Sequence, residues 1–240
     1  MARRWWLRLG APVLLLLLAI PGIVALAAPS RGQFVVRAPL VARDGPVPTP
    51  ARTPWPSLLP CGDILVPIDK QHELSPDCEP SDLVELPAWA AIGTQRLRVD
   101  AANAFVELAN AAGRDGLALS TDSAYRSFAT QQSVFATWVD LLGLEQADRT
   151  SARAGHSEHQ LGTTLDLCGS TGCLDAFAGS AEAAWVAAHA WEHGWLVSYP
   201  DEKEAITGFA PEPWHIRYVG RETAATVHAS GLTLHEYLLR

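Results

Sequence analysis

The chain carries little basic charge. Its 240 residues include 18 Lys and Arg against 26 Asp and Glu, so the formal net charge at pH 7 is −8. Domains that bind nucleic acids present a basic face to the phosphates, and this balance argues against such a partner. With 48% hydrophobic and 18% charged residues, the composition is that of a globular protein with an ordinary core.

Cysteines are also few, and no two of them form a C-x2-C pair. The four residues are Cys61, Cys78, Cys168 and Cys173. The missing C-x2-C spacing argues against a zinc site built from four thiolates. An even number of cysteines in an exported chain indicates disulfides instead. Of the three possible pairings, we expect Cys61–Cys78 and Cys168–Cys173, because each closes a short polar loop.

The N-terminus predicts export. Three arginines among the first eight residues precede an uncharged run over residues 10–28, and Ala25 and Ala27 are small residues at the positions that a signal peptidase reads. We interpret residues 1–28 as a signal peptide, with an uncleaved membrane anchor as the alternative, because the run is also close to the length of a membrane span. Cleavage after residue 27 would remove three arginines and no acid, changing the formal charge from −8 to −11. Either reading places the rest of the chain outside the cytoplasm.

Residues 29–60 are rich in proline, which predicts an extended linker with little to bury. The folded domain is predicted over residues 61–240. Few and short strands alternate irregularly with helices, which favours an α+β fold with a small antiparallel sheet that carries the site and is flanked by helices. The predicted elements are a helix with apolar positions from Leu97 to Ala112, a strand over Leu117–Ser120, a helix from the cap Ser127 to Gly143, a strand over Thr163–Cys168, a helix from the cap Ser180 to His193, strands over Trp195–Tyr199 and Trp214–Val219, and a short helix opened by a capping box at Thr233–Glu236.

Polar residues beside these strands fit a catalytic zinc site. Such a site takes about three ligands from His and carboxylate side chains and leaves one position for water. His159, Asp166 and His215 supply that set, and Gly162 allows a tight turn between the first two. Glu212, three residues before a ligand, can reach a bound water as a general base without occupying the metal.

A rival zinc motif lies further along the chain. His189, Glu192 and His193 match H-x-x-E-H, the pattern of the inverted zincins. That pattern needs a further carboxylate ligand downstream. The simpler interpretation is a packing helix, because His193 precedes Gly194 at a helix C-terminus, where a partly charged imidazole is favourable.

The two main clusters form a recognisable pair. S-x-H-x-x-G-x-x-x-D at Ser157–Asp166 and E-P-W-H-x-R-Y at Glu212–Tyr218 resemble the two signatures of the VanY-type zinc metallopeptidases, with S-A-Y-R-S at Ser123–Ser127 preceding them in the same order. The likeness spans roughly residues 61–240. Thr164 stands where that family commonly has Ala, a mild departure that touches no ligand.

The resemblance implies a function and a role for each matching residue. It implies an enzyme that binds one Zn²⁺ and hydrolyses the terminal D-Ala-D-Ala bond of peptidoglycan stem peptides. We expect the chain to be a monomer. A dipeptidase or endopeptidase of the same superfamily, or a non-catalytic zinc-binding module, are the alternatives; a general base argues against the last. The implied residues are the zinc ligands His159, Asp166 and His215, the base Glu212, the oxyanion or carboxylate partner Arg126, and the substrate-binding residues Ser157, Gln131 and Trp214.

Overall fold

The computed structural model describes residues 56–240, so the predicted leader and most of the predicted linker lie outside the described residues. The strands are β1 (Leu58–Leu59), β2 (Glu73–Leu74), β3 (Leu83–Glu85), β4 (Arg96–Arg98), β5 (Ser120–Ser123), β6 (Thr164–Gly169), β7 (Gly172–Cys173), β8 (Trp195–Val197) and β9 (His215–Tyr218). The helices are α1 (Val99–Arg114), α2 (Phe128–Leu142), α3 (Leu144–Thr150), α4 (Ala181–His189), α5 (Glu204–Thr207), α6 (Arg221–Ser230) and α7 (Leu234–Leu238), with 3-10 turns at Glu158–Leu161, Leu174–Ala176 and Ala190–His193. Within this part of the chain, no helix combines the length and apolar character needed to cross a bilayer.

The predicted α+β class is confirmed. The main sheet has the order β5-β6-β9-β8, with β7 paired to β6, and each of these pairings is antiparallel. Two small sheets, β1 with β2 and β3 with β4, lie outside it. Leu58–Leu59 pairs with Glu73–Leu74, so strand pairing begins within the segment that the sequence predicts as linker.

The main hydrophobic core lies between α1 and the sheet. Leu97, Ala101, Phe105, Leu108 and Ala112, the positions that predict the helix, are all completely buried. The first of them belongs to β4 rather than to the helix. The helix also runs one residue past the predicted stop at residue 113, because a glycine inside a helix weakens it without ending it. Burial of this face anchors the sheet from one side.

Other predicted elements agree with the structure within a few residues. Ser127 and Ser180 cap α2 and α4 by accepting hydrogen bonds from the backbone N–H groups of Thr130 and Ala183, and Thr233 and Glu236 form the expected capping box. The predicted strand at Leu117–Ser120 is displaced, since the observed strand begins at Ser120, where pairing with β6 starts. A buried partner strand, rather than the local apolar run, sets that boundary.

Both predicted disulfides are present. Cys61 is bonded to Cys78 across a sequence separation of 17, and Cys168 to Cys173 across a separation of 5. The second pair lies directly opposite in the β6–β7 hairpin. Cys78 belongs to a small hydrophobic cluster of its own, which also includes Leu161 from the 3-10 turn before β6. Residues 61–78, here called the N-terminal disulfide segment, therefore pack against the part of the chain that carries the site.

Candidate metal centre

Sheet pairing brings two of the predicted ligands together. Asp166 on β6 lies directly opposite His215 on β9, and side chains in such a pair stand about 5 Å apart on one face of the sheet. Asp166 Oδ1 is 3.2 Å from His215 Nδ1, although the two residues are 49 apart in sequence. The antiparallel register alone thus places a carboxylate against an imidazole.

The third predicted ligand arrives from a turn. His159 lies in the 3-10 turn Glu158–Leu161, and its Nε2 is 3.2 Å from Asp166 Oδ2. Gly162 ends this turn with a φ of 69°, and a Cβ there would lie 2.8 Å from Leu83 Cδ2. A glycine is therefore required between the two ligands for both conformational and steric reasons.

The three side chains form a compact buried group with the chemistry of a zinc site. One donor atom from each of His159, Asp166 and His215 lies within 4.8 Å of the others, and all three residues are buried. The remaining nitrogen of each ring is already engaged: His159 Nδ1 with the Ala124 carbonyl at 2.7 Å, and His215 Nε2 with Glu158 Oε2 at 3.0 Å. Two imidazoles and a carboxylate, each imidazole oriented by an outer partner, fit a catalytic zinc ion.

The electrostatics of the group favour a cation. Burial alone would raise the pKa of Asp166, but His159 and His215 hold it well below its usual value. Burial lowers the pKa of His159. Burial also acts to lower the pKa of His215, but the hydrogen bonds to Asp166 and Glu158 outweigh it and raise this pKa to about 10. Asp166 and Glu158 therefore favour a positive charge on or beside His215, and a bound metal ion would take the place of the His215 proton.

Glu212 lies next to this group without joining it. Its Oε2 is 3.5 Å from His215 Nδ1, and its side chain is 15% exposed. Burial raises its pKa to about 7. A carboxyl group whose pKa lies close to neutral can both take and return a proton, which is what a general base in a peptidase has to do.

Arg126 is held in place by a small set of polar side chains. Its guanidinium donates to Gln131 Oε1 at 2.7 Å and to Ser123 Oγ at 2.6 Å, and it lies 3.5 Å from Asp166 Oδ2. Gln131 is completely buried and donates in turn to the Ala152 carbonyl at 2.6 Å. Both ends of the Gln131 amide are thus used to position Arg126.

A cleft of about 540 Å³ opens over the group. Ser157 and Trp214, predicted to bind substrate, line it together with Arg126, Gln131 and Glu212. Gln131 is the one buried residue of the α2 helix, and apolar side chains on the same helix face line the cleft instead of entering the core. The cleft-lining apolar side chains of α2 are Val134, Trp138 and Leu142.

The β6–β7 hairpin also reaches the cleft. Leu174 and Asp175, which directly follow the Cys168–Cys173 disulfide, line its edge. Leu174 has a φ of 52°, an uncommon conformation for a residue with a branched side chain. The disulfide-closed hairpin thus forms part of the wall of the cleft near Asp166.

Three residues of the site are not among the predicted site residues. Tyr199 lines the cleft with its ring 4.7 Å from the His215 ring, and burial raises its pKa well above the usual value. Glu158 and Arg217 are buried behind His215 as an ion pair of 2.7 Å. An arginine two residues after a ligand, on the same side of a short strand, is the signal in the sequence that a buried acidic partner exists.

The rival motif does not form a metal site. His189 ends α4 and lies 3.2 Å from Glu192, whereas His193 follows in a separate 3-10 turn. Neither histidine belongs to a group of ligands close enough to hold a metal within residues 56–240. The other such group contains Cys168 and Cys173, whose sulfurs are bonded to each other and are not thiolate ligands.

Comparison with known proteins gives a consistent picture. The sequence profile of the VanY family, D-alanyl-D-alanine carboxypeptidase, matches residues 94–221. The chain is 36% identical over 182 residues to YodJ of Bacillus subtilis (strain 168), provisionally named a carboxypeptidase, covering 73% of this chain and 67% of the relative. It is 34% identical over 138 residues to a D-alanyl-D-alanine carboxypeptidase of Enterococcus faecium, covering 57% of this chain but only 42% of that longer protein.

Solved structures show the same relationship. LdcB, an LD-carboxypeptidase, superposes with a TM-score of 0.67 at 36% identity over 74% of this chain and 86% of its own. VanYB in complex with D-alanine-D-alanine gives a TM-score of 0.62 at 28% identity, covering 73% and 97% of the two chains. A VanY variant in complex with Zn(II) matches equally well, at 28% identity and a TM-score of 0.62, covering 73% of this chain and 98% of its own.

Proposed function

Because the chain belongs to the VanY family of D-alanyl-D-alanine carboxypeptidases, we propose that it is a zinc-dependent peptidase that removes the terminal D-alanine from peptides ending in D-Ala-D-Ala. The observation that carries the proposal is the buried group of His159, Asp166 and His215, with Glu212 and Arg126 facing the same cleft. These residue types and positions are those that a metallopeptidase needs for peptide hydrolysis.

Different residues of the site bind the metal and transfer the proton during hydrolysis. His159, Asp166 and His215 hold the zinc ion, which supplies a Lewis acid for the peptide carbonyl and lowers the pKa of water when bound. Glu212 takes the proton from the attacking water and passes it to the nitrogen of the departing D-alanine. These two transfers leave Glu212 ionised again at the end of the cycle.

Arg126 binds a negatively charged group of the substrate. Its fixed fork of donors, held by Gln131 and Ser123, suits a carboxylate or the oxyanion that develops on the carbonyl oxygen. Ser157 and Trp214 line the same cleft and contact the terminal residue. The apolar wall from α2 receives the part of the peptide before the cleaved bond.

The two disulfides support action outside the cytoplasm, because reducing compartments do not maintain such bonds. Peptidoglycan stem peptides are located there, and a signal peptide over residues 1–28 is the proposed route. The activity and the location therefore agree.

The test is a peptide panel. A peptide ending in L-Lys-D-Ala-D-Ala is incubated with the purified protein, and released D-alanine is measured with a chelator and after restoring zinc. We expect release that the chelator abolishes and zinc restores, and no cleavage of the matched peptide ending in D-Ala-L-Ala. Zinc bound at one ion per chain with no peptide cleaved would instead support a binding module.

A second candidate is an L,D-carboxypeptidase, which removes D-alanine from a tetrapeptide ending in L-Lys-D-Ala. It is favoured by the higher identity to LdcB, 36%, than to VanYB, 28%. Including the tetrapeptide in the panel decides between the two, since the ratio of kcat/KM for the two peptides measures which bond the cleft prefers.

A further inference from the structure

We propose that Glu158 and Arg217 are positioning residues for the metal, acting through His215. The inference rests on the zinc site of the proposed function. Glu158 is 5% exposed and Arg217 completely buried, so water does not compete for their hydrogen bonds. Glu158 is adjacent in sequence to His159, and its carboxylate contacts the ring of His215. The short turn Glu158–Leu161 therefore supplies one histidine ligand, His159, and supports the other histidine ligand, His215.

The contacts of Glu158 determine which nitrogen of His215 faces the metal. Its Oε2 accepts from His215 Nε2 at 3.0 Å and from Ser198 Oγ at 2.6 Å, while its Oε1 accepts from Arg217 Nη1 at 2.7 Å. A bound metal would displace any proton from Nδ1, the nitrogen that lies 3.2 Å from Asp166 Oδ1. An ionised carboxylate only accepts hydrogen bonds, so Glu158 would keep the remaining ring proton on Nε2 and leave the Nδ1 lone pair for the metal.

Arg217 holds the Glu158 carboxylate in place. Its Nη1 donates to Glu158 Oε1 at 2.7 Å, and this contact offsets the cost of burying a charged side chain. Besides Glu158, the guanidinium donates to the carbonyls of Ile64 and Val66, at 2.8 Å each. Arg217 therefore joins the support of His215 to the backbone of the N-terminal disulfide segment.

The competing explanation is that the pair is only a structural salt bridge. Buried ion pairs are often no more stabilising than well-packed apolar residues of the same size, so stability alone is a weak reason for this pair. The two explanations predict different zinc affinities when both residues of the pair are replaced together. A structural pair can be exchanged for neutral side chains without consequence for the metal, whereas a positioning carboxylate cannot.

The experiment uses the full purified protein, and zinc affinity is measured by competition with a chromophoric chelator. We expect Glu158→Gln to weaken zinc binding about 10- to 100-fold. Because this variant also leaves Arg217 unpaired, the double variant Glu158→Gln/Arg217→Met is measured beside it. We expect the double variant to regain resistance to urea without regaining zinc affinity. Ser198→Ala, which removes a neighbouring hydrogen bond but keeps the carboxylate, is the matched control and should bind zinc within a few-fold of wild type.

Each outcome decides the matter. If the double variant binds zinc as tightly as wild type, the pair is structural and the inference is overturned while the proposed function stands. If wild type itself takes up no zinc, both fail together. A measurement that needs no variant is nitrogen-15 NMR of the zinc-loaded wild type, in which His215 should carry its proton on Nε2; a proton on Nδ1 would refute the inference even if every variant failed to fold.

Discussion

At the scale of single residues, the proposed function assigns metal binding and proton transfer to different side chains. Glu212 is beside His215 but outside the ligand group, and burial raises its pKa to about 7. Glu212→Gln keeps the size of the side chain and removes its ability to accept a proton. We expect this variant to retain one zinc per chain and to lose roughly 10²–10⁴-fold in kcat.

Elemental analysis and D-alanine release measure the two properties of the Glu212 variant separately. Glu85→Gln, a change to an exposed glutamate outside the cleft, serves as the control. A Glu212→Gln protein as fast as wild type would refute the proton-transfer role. One that had lost its zinc would make Glu212 a ligand instead.

Gln131 tests whether Arg126 needs its support. Gln131→Met preserves the volume but leaves Arg126 Nη1 and the Ala152 carbonyl without their partner. Arg126 would then adopt orientations that do not meet the substrate, so we expect kcat/KM to fall about 10- to 100-fold with zinc content unchanged. Gln132→Met, an exposed neighbour on the same helix, is the control. Equal activity in both variants would show that Arg126 is positioned without Gln131.

At the scale of elements, the turn that joins two ligands depends on Gly162. Its φ of 69° disfavours any other residue by roughly 1–2 kcal/mol, and a Cβ would also meet Leu83. Gly231 has a φ of 70° but open space around it, which makes it a matched control for the conformational cost alone. In urea unfolding we expect Gly162→Ala to cost about 1–3 kcal/mol more than Gly231→Ala. Similar losses would mean that Leu83 moves aside freely.

Local signals determine how much of these elements can be predicted from the sequence. Caps such as Ser127 and Thr233 act within one turn, so the helices they start are correctly predicted. The order β5-β6-β9-β8 depends on pairing between residues as far apart as Asp166 and His215, which no local pattern reports. The α2 helix shows the same limit, because three of its apolar residues, Val134, Trp138 and Leu142, line a cleft where a sequence pattern alone would place them in a core.

The candidate site follows the same rule. Zinc ligands have characteristic residue types and spacing, and the structure brings His159, Asp166 and His215 together as expected. The role of Glu158 cannot be predicted in this way, because most glutamates are exposed to solvent. Only the fold shows that Glu158 is buried beside Arg217. The outer support of a ligand is defined by burial, which spacing does not encode.

At the scale of the whole molecule, zinc joins parts of the chain that are far apart in sequence. A metal that binds only the folded state stabilises it by about 4 kcal/mol at a free concentration 1,000 times the Kd. For a domain of this size that corresponds to a Tm shift of roughly 10 °C. We expect a chelator to lower the Tm of wild type by about this amount and to leave His215→Ala unchanged. An equal shift in both proteins would place the stabilising metal elsewhere.

The hydrogen bonds from Arg217 to the Ile64 and Val66 carbonyls have a consequence for when the enzyme becomes active. Those carbonyls lie inside the loop closed by Cys61 and Cys78, so we expect oxidation of that pair to restrict the positions that Arg217 can adopt. We expect a chain that is still reduced before export to bind zinc weakly. Full peptidase activity would then appear only after the Cys61–Cys78 disulfide has formed. Replacing both Cys61 and Cys78 with serine should weaken zinc binding when Glu158 is present but have no further effect in the Glu158→Gln variant. An equal loss of zinc affinity with and without Glu158 would show that the loop does not act on the metal through Glu158.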